Sequence, residues 1–373
     1  MEFYILGKTN SQPRIQRWSE KLTVHIDRLG RAIGSFRDRV GPEMAVDLGT
    51  TNTRMYLRGR GIFVDEPSVL ATDSLNGEPL SAGSNAKSLI GRSPDYVALH
   101  KPLCAGAIAD AAHTALMLRY LIAGARKGNF PRWYRMAVTA PSCGTRLERR
   151  AIIEAATKSG AAKVLLVPTL IAAAIGVGYK INSPRARMLV LLGGGVCEVG
   201  IVGLGHIIYS DAARVGGETI DHAIYEYLLH RYNIQITMEM AEKIKEELVY
   251  AESSATPHET MRVTGREARK GGLKSIEMRP PEISRAVETP INCIVDLIQE
   301  ALDNCSPAVL SDLENFPIIL SGGLSLLHGL PELIVKMTGF RVAVAANPSY
   351  TTLKGCSAIV DDPKQHIYCL TQA

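Results

Sequence analysis

The sequence predicts an α/β chain of two domains built by duplication. Its 373 residues are too many for one ordinary hydrophobic core and suit two. An apolar run, a tight glycine turn and a second β-type run occur twice. The first instance is Met44-Ala45-Val46-Asp47-Leu48-Gly49-Thr50-Thr51-Asn52-Thr53-Arg54, continuing from Met55 to Val64. The second is Leu189-Val190-Leu191-Leu192-Gly193-Gly194-Gly195-Val196-Cys197-Glu198, continuing from Val199 to Ser210. Each hairpin is followed by helices and short apolar strands, so each half reads as one α/β unit. A strand–turn–strand with bare backbone N–H groups at its tip can hold phosphate oxygens. Two of them facing each other would clamp a nucleotide's phosphates in the cleft between the units. The halves are not chemically equal, because Asp47 aligns with Leu191.

Hydrophobic content of 46% and charged content of 21% fit a soluble globular protein. No apolar run reaches the length of a membrane span. The N-terminus lacks the charged start, apolar stretch and small-residue site of a signal peptide. The seven cysteines are scattered, none at zinc-ligand spacing, which reads as free thiols in a reducing cytosol. A net charge of +5 is mild and makes no case for nucleic acid.

Residues 1–43 form an arm unlike the rest. Ile15, Trp18, Leu22, Ile26, Leu29, Ile33, Phe36 and Val40 recur at helical spacing, with Arg14, Arg17, Lys21, Arg28, Arg31, Arg37 and Arg39 on the other faces. Pro13 suits the first turn, with Ser11 nearby as a cap, and Gly41-Pro42 ends the helix. In the first domain Gly59-Arg60-Gly61 is a turn and Glu66-Pro67-Ser68 breaks the next strand. Helices are expected over Ala111 to Lys127, Arg146 to Ser159 and Leu170 to Tyr179, and strands over Met136 to Thr139 and Val164 to Val167. Ile181-Asn182-Ser183-Pro184 is a crossover loop. In the second domain helices are expected over Ile220 to Tyr232 and Met238 to Ala251, then one long helix from Pro281 to Asn304. The polar stretch Glu252 to Lys274 yields one strand, Met261 to Val263. Strand Pro317 to Leu320, helix Gly329 to Thr338 and a helical Ala358 to Asp361 close the chain. The expected domains are 44–182, completed by about 340–373, and 183–339.

These residues resemble the MreB and MreB-like (Mbl) family, bacterial actin-like cytoskeletal proteins of the actin, sugar-kinase and heat-shock-chaperone ATPase superfamily. The resemblance runs from Met44 to about Asp361. It rests on Asp47-Leu48-Gly49-Thr50 with Asn52-Thr53, Gly59-Arg60-Gly61-Ile62, Asp65-Glu66-Pro67-Ser68-Val69, Gly91-Arg92-Ser93-Pro94 and Glu148-Arg149-Arg150-Ala151. Further blocks are Ala172-Ala173-Ala174-Ile175-Gly176, Gly193-Gly194-Gly195, Arg214-Val215-Gly216-Gly217, Ala241-Glu242-Lys243-Ile244-Lys245, Glu288-Thr289-Pro290-Ile291-Asn292 and Leu320-Ser321-Gly322-Gly323. Glu66-Pro67-Ser68-Val69 separates MreB from the chaperones and sugar kinases, and Arg58-Gly59-Arg60-Gly61 is similar to actinobacterial forms. The resemblance implies an actin-like (ribonuclease H-like) duplicated fold that binds ATP with magnesium in an interdomain cleft. It also implies assembly into membrane-bound filaments.

Carried over residue by residue, the resemblance gives Asp47 to the magnesium-bound water and Gly49, Thr50, Thr51 and Asn52 to the first phosphate turn. Gly193, Gly194 and Gly195 form the second turn, Gly216, Gly217 and Glu218 the ribose side, Glu242 and Lys245 the adenine-side helix, and Gly322 and Gly323 the third loop. Glu242 and Lys245, three apart, share one helix face. Six positions depart. Leu191 replaces an aspartate, which removes half of a carboxylate pair for a hard cation. Val196 and Cys197 replace threonines, Ala105 an acid, and Leu324 a glycine that would leave room for the base. Thr169 stands where the family has the glutamate that polarises the attacking water, and a threonine is no general base near neutral pH. Positioning that water is a major part of what such ATPases contribute. Glu198 and Asp110 are family residues already, so no new carboxylate stands in.

The expected function is therefore an MreB-like cytoskeletal protein that forms or modulates membrane-associated filaments organising cell-wall synthesis and cell shape. Its ATPase site is expected to be degenerate: not an enzyme, with ATP and Mg2+ at a weakened site and no catalytic base. The alternatives are a competent ATPase filament with a substitute base and, least favoured, a small-molecule kinase of the same superfamily. The expected partners are further copies or an authentic MreB, the inner face of the cell membrane and cell-wall synthesis proteins, with no nucleic acid. The setting is cytoplasmic and peripheral to the membrane. Trp18, Leu22, Leu29, Ile33 and Phe36 of the arm, with Phe130 and Trp133 of the loop Gly128 to Arg135, are the membrane candidates, and Tyr134 joins that interfacial set. The open alternatives are an arm docked on the protein's own surface or on a partner, Met44 as the true start, and a loop that is a packed strand edge.

Overall fold

A computed structural model of the protein describes residues 43–125, 134–251, 260–269 and 271–363. The arm helix, Phe130 and Trp133 lie outside the described residues.

Two five-stranded sheets carry the molecule. The first opens with the meander β1 (Glu43–Leu48), β2 (Asn52–Leu57) and β3 (Gly61–Pro67). The chain leaves it for a small sheet of β4 (Leu70–Asp73), β5 (Pro79–Ala82) and β6 (Val97–His100), and for the pair β7 (Leu103–Cys104) and β8 (Ala107–Ile108). It returns as β9 (Arg135–Ala140), parallel to β1, and β10 (Lys163–Pro168), parallel to β9. The second sheet repeats the plan with β11 (Arg187–Leu192), β12 (Cys197–Gly203) and β13 (His206–Ala213). An excursion follows through β14 (Ile234–Gln235), β15 (Met261–Glu267) and β16 (Leu273–Met278), then β17 (Ile318–Ser321) and β18 (Val342–Val344) join β11 in parallel. The orders β3-β2-β1-β9-β10 and β13-β12-β11-β17-β18 are the same. Duplication, read from two hairpins, is thus a property of the whole topology.

Strand burial explains the pattern. β1 and β11 are central, covered by helices, and their sequences are apolar almost throughout. β2 alternates, with Thr53, Met55 and Leu57 buried and Asn52, Arg54 and Tyr56 partly exposed. Helix starts are set locally. Asp110 caps Ala111–Gly124 by accepting from the N–H groups of Ala112 and His113, both at 2.9 Å. Thr145 and Glu148 form a reciprocal capping box at the start of Arg146–Lys158.

Several expectations need correction. The single helix from Pro281 to Asn304 is two helices, Pro280–Ala286 and Glu288–Asp303, separated at Val287. Pro290 explains the break: it has no N–H to offer the Ala286 carbonyl, and its ring crowds that oxygen. The polar stretch holds a fuller β15 and runs into the unread β16; each strand turns one face inward, through Met261 and Val263 and through Ile276 and Met278, but so few of these positions are apolar that the alternation is weak in the sequence. The small sheet β5-β4-β6 and the helix Pro307–Asn315 were not expected, although Ser306 before Pro307 is a start signal. The last helix runs the full Thr351–Asp361.

The chain's last helix returns to the first half, where Thr169–Gly176 crosses Thr351–Asp361. A β-carbon at Gly176 would overlap the Thr351 carbonyl oxygen, and one at Gly355 the Ala172 carbonyl oxygen. Only glycine permits backbones to approach this closely. The C-terminal helix then packs under the first sheet, where Leu353, Cys356, Ile359 and Val360 meet Ala45, Ala137, Val167 and Ala172. Gly355→Ala is expected to force the helices apart and cost about 1–3 kcal/mol. Urea unfolding of variant and parent checks this, and an unchanged midpoint would refute it.

Candidate functional site

The two glycine turns have the same construction. In the first, Gly49 N–H donates to the Asn52 carbonyl at 3.1 Å; in the second, Gly193 N–H donates to the Val196 carbonyl at 3.0 Å. Val196 therefore occupies the place of Asn52, Cys197 that of Thr53, and Leu191 that of Asp47. The turns meet across the cleft. A β-carbon at Gly194 would overlap Thr51 Oγ1, and one at Gly195 would lie 2.6 Å from Thr50 Oγ1. Thr50, Thr51, Gly194 and Gly195 thus come together as predicted, with side-chain hydroxyls facing bare backbone. The first turn is braced from behind: Ser68 Oγ donates to the Gly49 carbonyl at 2.7 Å, and Ser68 N–H donates to Thr51 O at 2.9 Å. Ser68, read as part of a strand break and of a family block, is this buttress. Over the turns lies the loop between β7 and β8. Ala105 is left-handed there (φ 47°), and Gly106 N–H donates to Thr50 Oγ1 at 2.9 Å.

Asp47 lies on β1 with its Oδ1 accepting from the Thr139 hydroxyl at 2.9 Å. Burial pushes its pKa up, against the Thr139 hydrogen bond and the Arg54 charge. Among the described residues no group of three or more His, Cys, Asp or Glu could hold a bare metal. Magnesium keeps several waters and needs one or two carboxylates beside substrate phosphates, and Asp47 fits that role. Opposite, Leu191 is 8% exposed and packs with Leu170, Ile171, Ala174 and Leu189. Its position is now part of the core beneath the cleft.

Thr169 is the first residue of its helix, at the end of β10. Its hydroxyl donates to Glu198 Oε2. Glu198 Oε1 accepts from Ser142 N–H at 2.7 Å, and Ser142 Oγ stands 3.3 Å from Thr169 Oγ1 and accepts from Leu170 N–H at 3.2 Å. Glu198 is 3% exposed. Burial raises its pKa, opposed by the hydrogen bonds from Thr169, Ser142 and Cys143. This carboxylate–hydroxyl contact joins β12 to the opposite half and was not foreseen, because the residues are distant in sequence.

At the positions the resemblance gives to the nucleoside, Gly216 and Gly217 lead into the helix Gly217–Tyr232 and lie against the second turn. Gly217 N–H donates to the Gly193 carbonyl at 3.1 Å and Glu218 N–H to the Gly194 carbonyl at 2.8 Å. Lys245 pairs with Asp221 at 2.9 Å and reaches the Gly217 carbonyl at 3.4 Å. Asp221 went unnoticed in the sequence, yet it stands on the buried stripe of its helix with Gly217, Ile220, Ile224 and Leu228. An acid on an apolar stripe was the available signal. Glu242 pairs with Lys87 at 3.2 Å and Glu218 with Lys101 at 3.6 Å, both lysines belonging to the opposite half. Gly322 follows β17, with its N–H on the Pro348 carbonyl at 2.9 Å, and Gly323 faces Ser349. Leu324 does not crowd this space; its side chain is buried in the second core. Tyr134 also departs from expectation: it is 1% exposed, with its hydroxyl on the Ser159 carbonyl at 3.2 Å, and so is core rather than interface.

Two like sheets, two like turns and a cleft between them define an actin-like protein. The family model for MreB/Mbl protein matches residues 41–367. The chain is 36% identical over 328 residues to cell shape-determining protein MreB of Escherichia coli (strain K12), covering 86% of this chain and 93% of that one. It is 32% identical over 321 residues to cell shape-determining protein Mbl of Bacillus subtilis (strain 168), covering 86% and 96%. The structure is similar to MreB5 of Spiroplasma citri bound to AMPPNP, with a TM-score of 0.82 and 25% identity over 88% of this chain and 98% of that one. The fold is also that of the MamK double helical filament, with a TM-score of 0.71 and 19% identity over 87% and 99%. The chain belongs to the MreB/Mbl family of actin-like cell shape-determining cytoskeletal proteins.

This membership overturns one expectation. Leu191, Val196 and Thr169 had implied a chain that is not an enzyme. The MreB5 relative has been solved with AMPPNP and with ADP, a triphosphate analogue and a diphosphate, which points to a family of functional ATPases.

Two outcomes follow from the site's packing. Leu191→Asp would place a carboxylate among Leu170, Ile171 and Leu189, and is expected to lose at least the roughly 1.5–3 kcal/mol that burying a leucine contributes. A denaturation midpoint equal to the parent's would contradict it. Burial also raises the Asp221 pKa from 3.8 to about 6 against the pull of Lys245. The folded state then holds this proton more tightly than the unfolded state, so the group's contribution to stability falls as pH rises from about 4 to about 6 and is level above. Asp221→Asn should remove that slope, as read from melting temperatures across the window.

Proposed function

We propose that this chain binds ATP with magnesium, turns it over, and assembles with further copies into filaments at the inner face of the cell membrane that organise cell-wall synthesis and cell shape. The observation that carries the reading is the meeting of Thr50 and Thr51 with Gly194 and Gly195 at the mouth of the cleft, in a chain of the MreB/Mbl family. Hydroxyls from the first half and bare backbone from the second converge there, as recognition of phosphate requires. Asp47 would orient magnesium-bound water, and the cation would neutralise charge on the phosphates. Gly49 and Asn52 complete the first turn and Gly193 the second. Gly216, Gly217, Glu218, Glu242, Lys245, Gly322 and Gly323 surround the nucleoside side. The AMPPNP- and ADP-bound MreB5 structures support the nucleotide assignment.

The domains of this reading are 44–182, completed by the C-terminal segment, and 183–339. The arm, through Trp18, Leu22, Leu29, Ile33 and Phe36, and the loop bearing Phe130 and Trp133 would hold the filament to lipid, their arginines facing anionic headgroups. No helix among the described residues is long and apolar enough to cross a membrane. Longitudinal assembly of such a two-domain body is a heterologous contact that need not close.

The test is sedimentation of the full chain with ATP and magnesium, with ADP, and with an authentic MreB, each with and without vesicles of anionic phospholipid. The expected result is ATP-dependent pelleting that vesicles enhance. A protein that stays in the supernatant under every condition would end this reading.

A further inference from the structure

We propose that Thr169 and Glu198 together replace the missing catalytic glutamate: Thr169 meets the attacking water, and Glu198 orients Thr169 and takes up its proton. This rests on the reading that the chain turns over ATP.

The argument is geometric. Thr169 lies at the end of β10, beside the end of β9, where Val167 pairs with Thr139. Thr139 in turn holds Asp47, on the strand that enters the first phosphate turn. Glu198 follows the second turn by two residues and reaches across the cleft to the Thr169 hydroxyl. The pair therefore sits on the floor between the two turns. Both Glu198 oxygens are engaged, one by Ser142 N–H and the other by Thr169. With its proton on Glu198 and Ser142 Oγ placed to donate from 3.3 Å, the threonine oxygen keeps one further lone pair for a water proton. Donation to a carboxylate makes that oxygen a better acceptor. Thr169 also begins a helix of eight residues, whose positive end favours the negative charge developing on an attacking oxygen. A threonine alone cannot serve as a base. A threonine whose own proton has a carboxylate to go to can pass one on.

The step balances. The water oxygen bonds to the γ-phosphorus as the bond from that phosphorus to the β,γ-bridging oxygen breaks, and ADP leaves with the electron pair. The water proton passes to Thr169 Oγ1 as the Thr169 proton passes to Glu198 Oε2. Glu198 later gives the proton to solvent.

The test is steady-state phosphate release by the full chain and by Thr169→Val, Thr169→Ser and Glu198→Gln, beside AMPPNP binding and melting temperature for each. Valine keeps the shape of threonine, and glutamine keeps an acceptor for Ser142. The expected result is a fall in kcat of about 100-fold in the valine and glutamine variants. The KM for ATP and AMPPNP binding should stay near parental values; the valine variant, which leaves Glu198 Oε2 without its donor, should melt lower, and serine should restore both turnover and melting temperature. The parent's kcat should fall on the acid side of its pH profile, and that limb should vanish in Glu198→Gln. Valine and glutamine variants that turn over like the parent would overturn the relay and leave the ATPase reading standing. A parent that binds AMPPNP and releases no phosphate would overturn the turnover reading and the relay with it.

Discussion

Everything at the cleft depends on one backbone contact, the crossing of Thr169–Gly176 with Thr351–Asp361. At Gly176 and Gly355 the two helices touch main chain to main chain. Such a contact has no side chain to adjust, and packed backbones resist small displacements. The first helix begins with Thr169 and lies between the two sheets, sharing Leu170 and Ile171 with β11 and Ala172 with β1 and β9. The second ties the C-terminus to the first sheet. The first helix is thus the element that both sheets share, and it carries Thr169 to Glu198 of the second half.

The departures from the family pattern form a connected set. With leucine at 191, the floor of the second half becomes apolar, and Leu170 follows Thr169 into the same cluster. A glutamate at 169 would then stand beside the buried Glu198, and two carboxylates in one desolvated site oppose each other's ionisation. Threonine at 169 relieves that conflict: it presents a donor where Glu198 needs one. The change that looked most damaging in isolation is chemically consistent with its neighbour. Val196 fits the same logic, since its side chain packs against Gly106, where a β-carbon would lie 2.6 Å from Cγ1.

What the sequence made legible was local. Apolar runs gave β1, β9, β10 and β11, and glycine gave the turns that end them, because burial and turn chemistry act over a few residues. Elements with a weak pattern were missed or shortened: β15 and β16, whose inward faces carry only two apolar residues apiece that reach the core, and the small sheet β5-β4-β6. The split at Val287 was readable in principle from Pro290, but an apolar stripe that continues across the break masked it. In the site, residue identities were readable and their partners were not. Lys87 with Glu242 and Thr169 with Glu198 are set by how the halves close, and Asp221 with Lys245 by how two helices of the second half pack, which no local window contains.

The closing forces can be ranked. Lys87–Glu242, Lys101–Glu218 and Arg214–Glu148 span the cleft at 3.2, 3.6 and 3.2 Å, but each pair is substantially solvent-exposed. Such pairs contribute about 0–1 kcal/mol apiece and are screened by salt. The Glu198 contacts to Thr169 and Ser142 are buried, and breaking one would strand a desolvated carboxylate. The floor of the cleft is therefore its stiff side and the nucleoside rim its soft side. Glu218 and Glu242, both expected at the nucleoside, are held by lysines of the opposite half. The difference between the two sides rests on burial: the rim pairs are open to solvent and the Glu198 carboxylate is not.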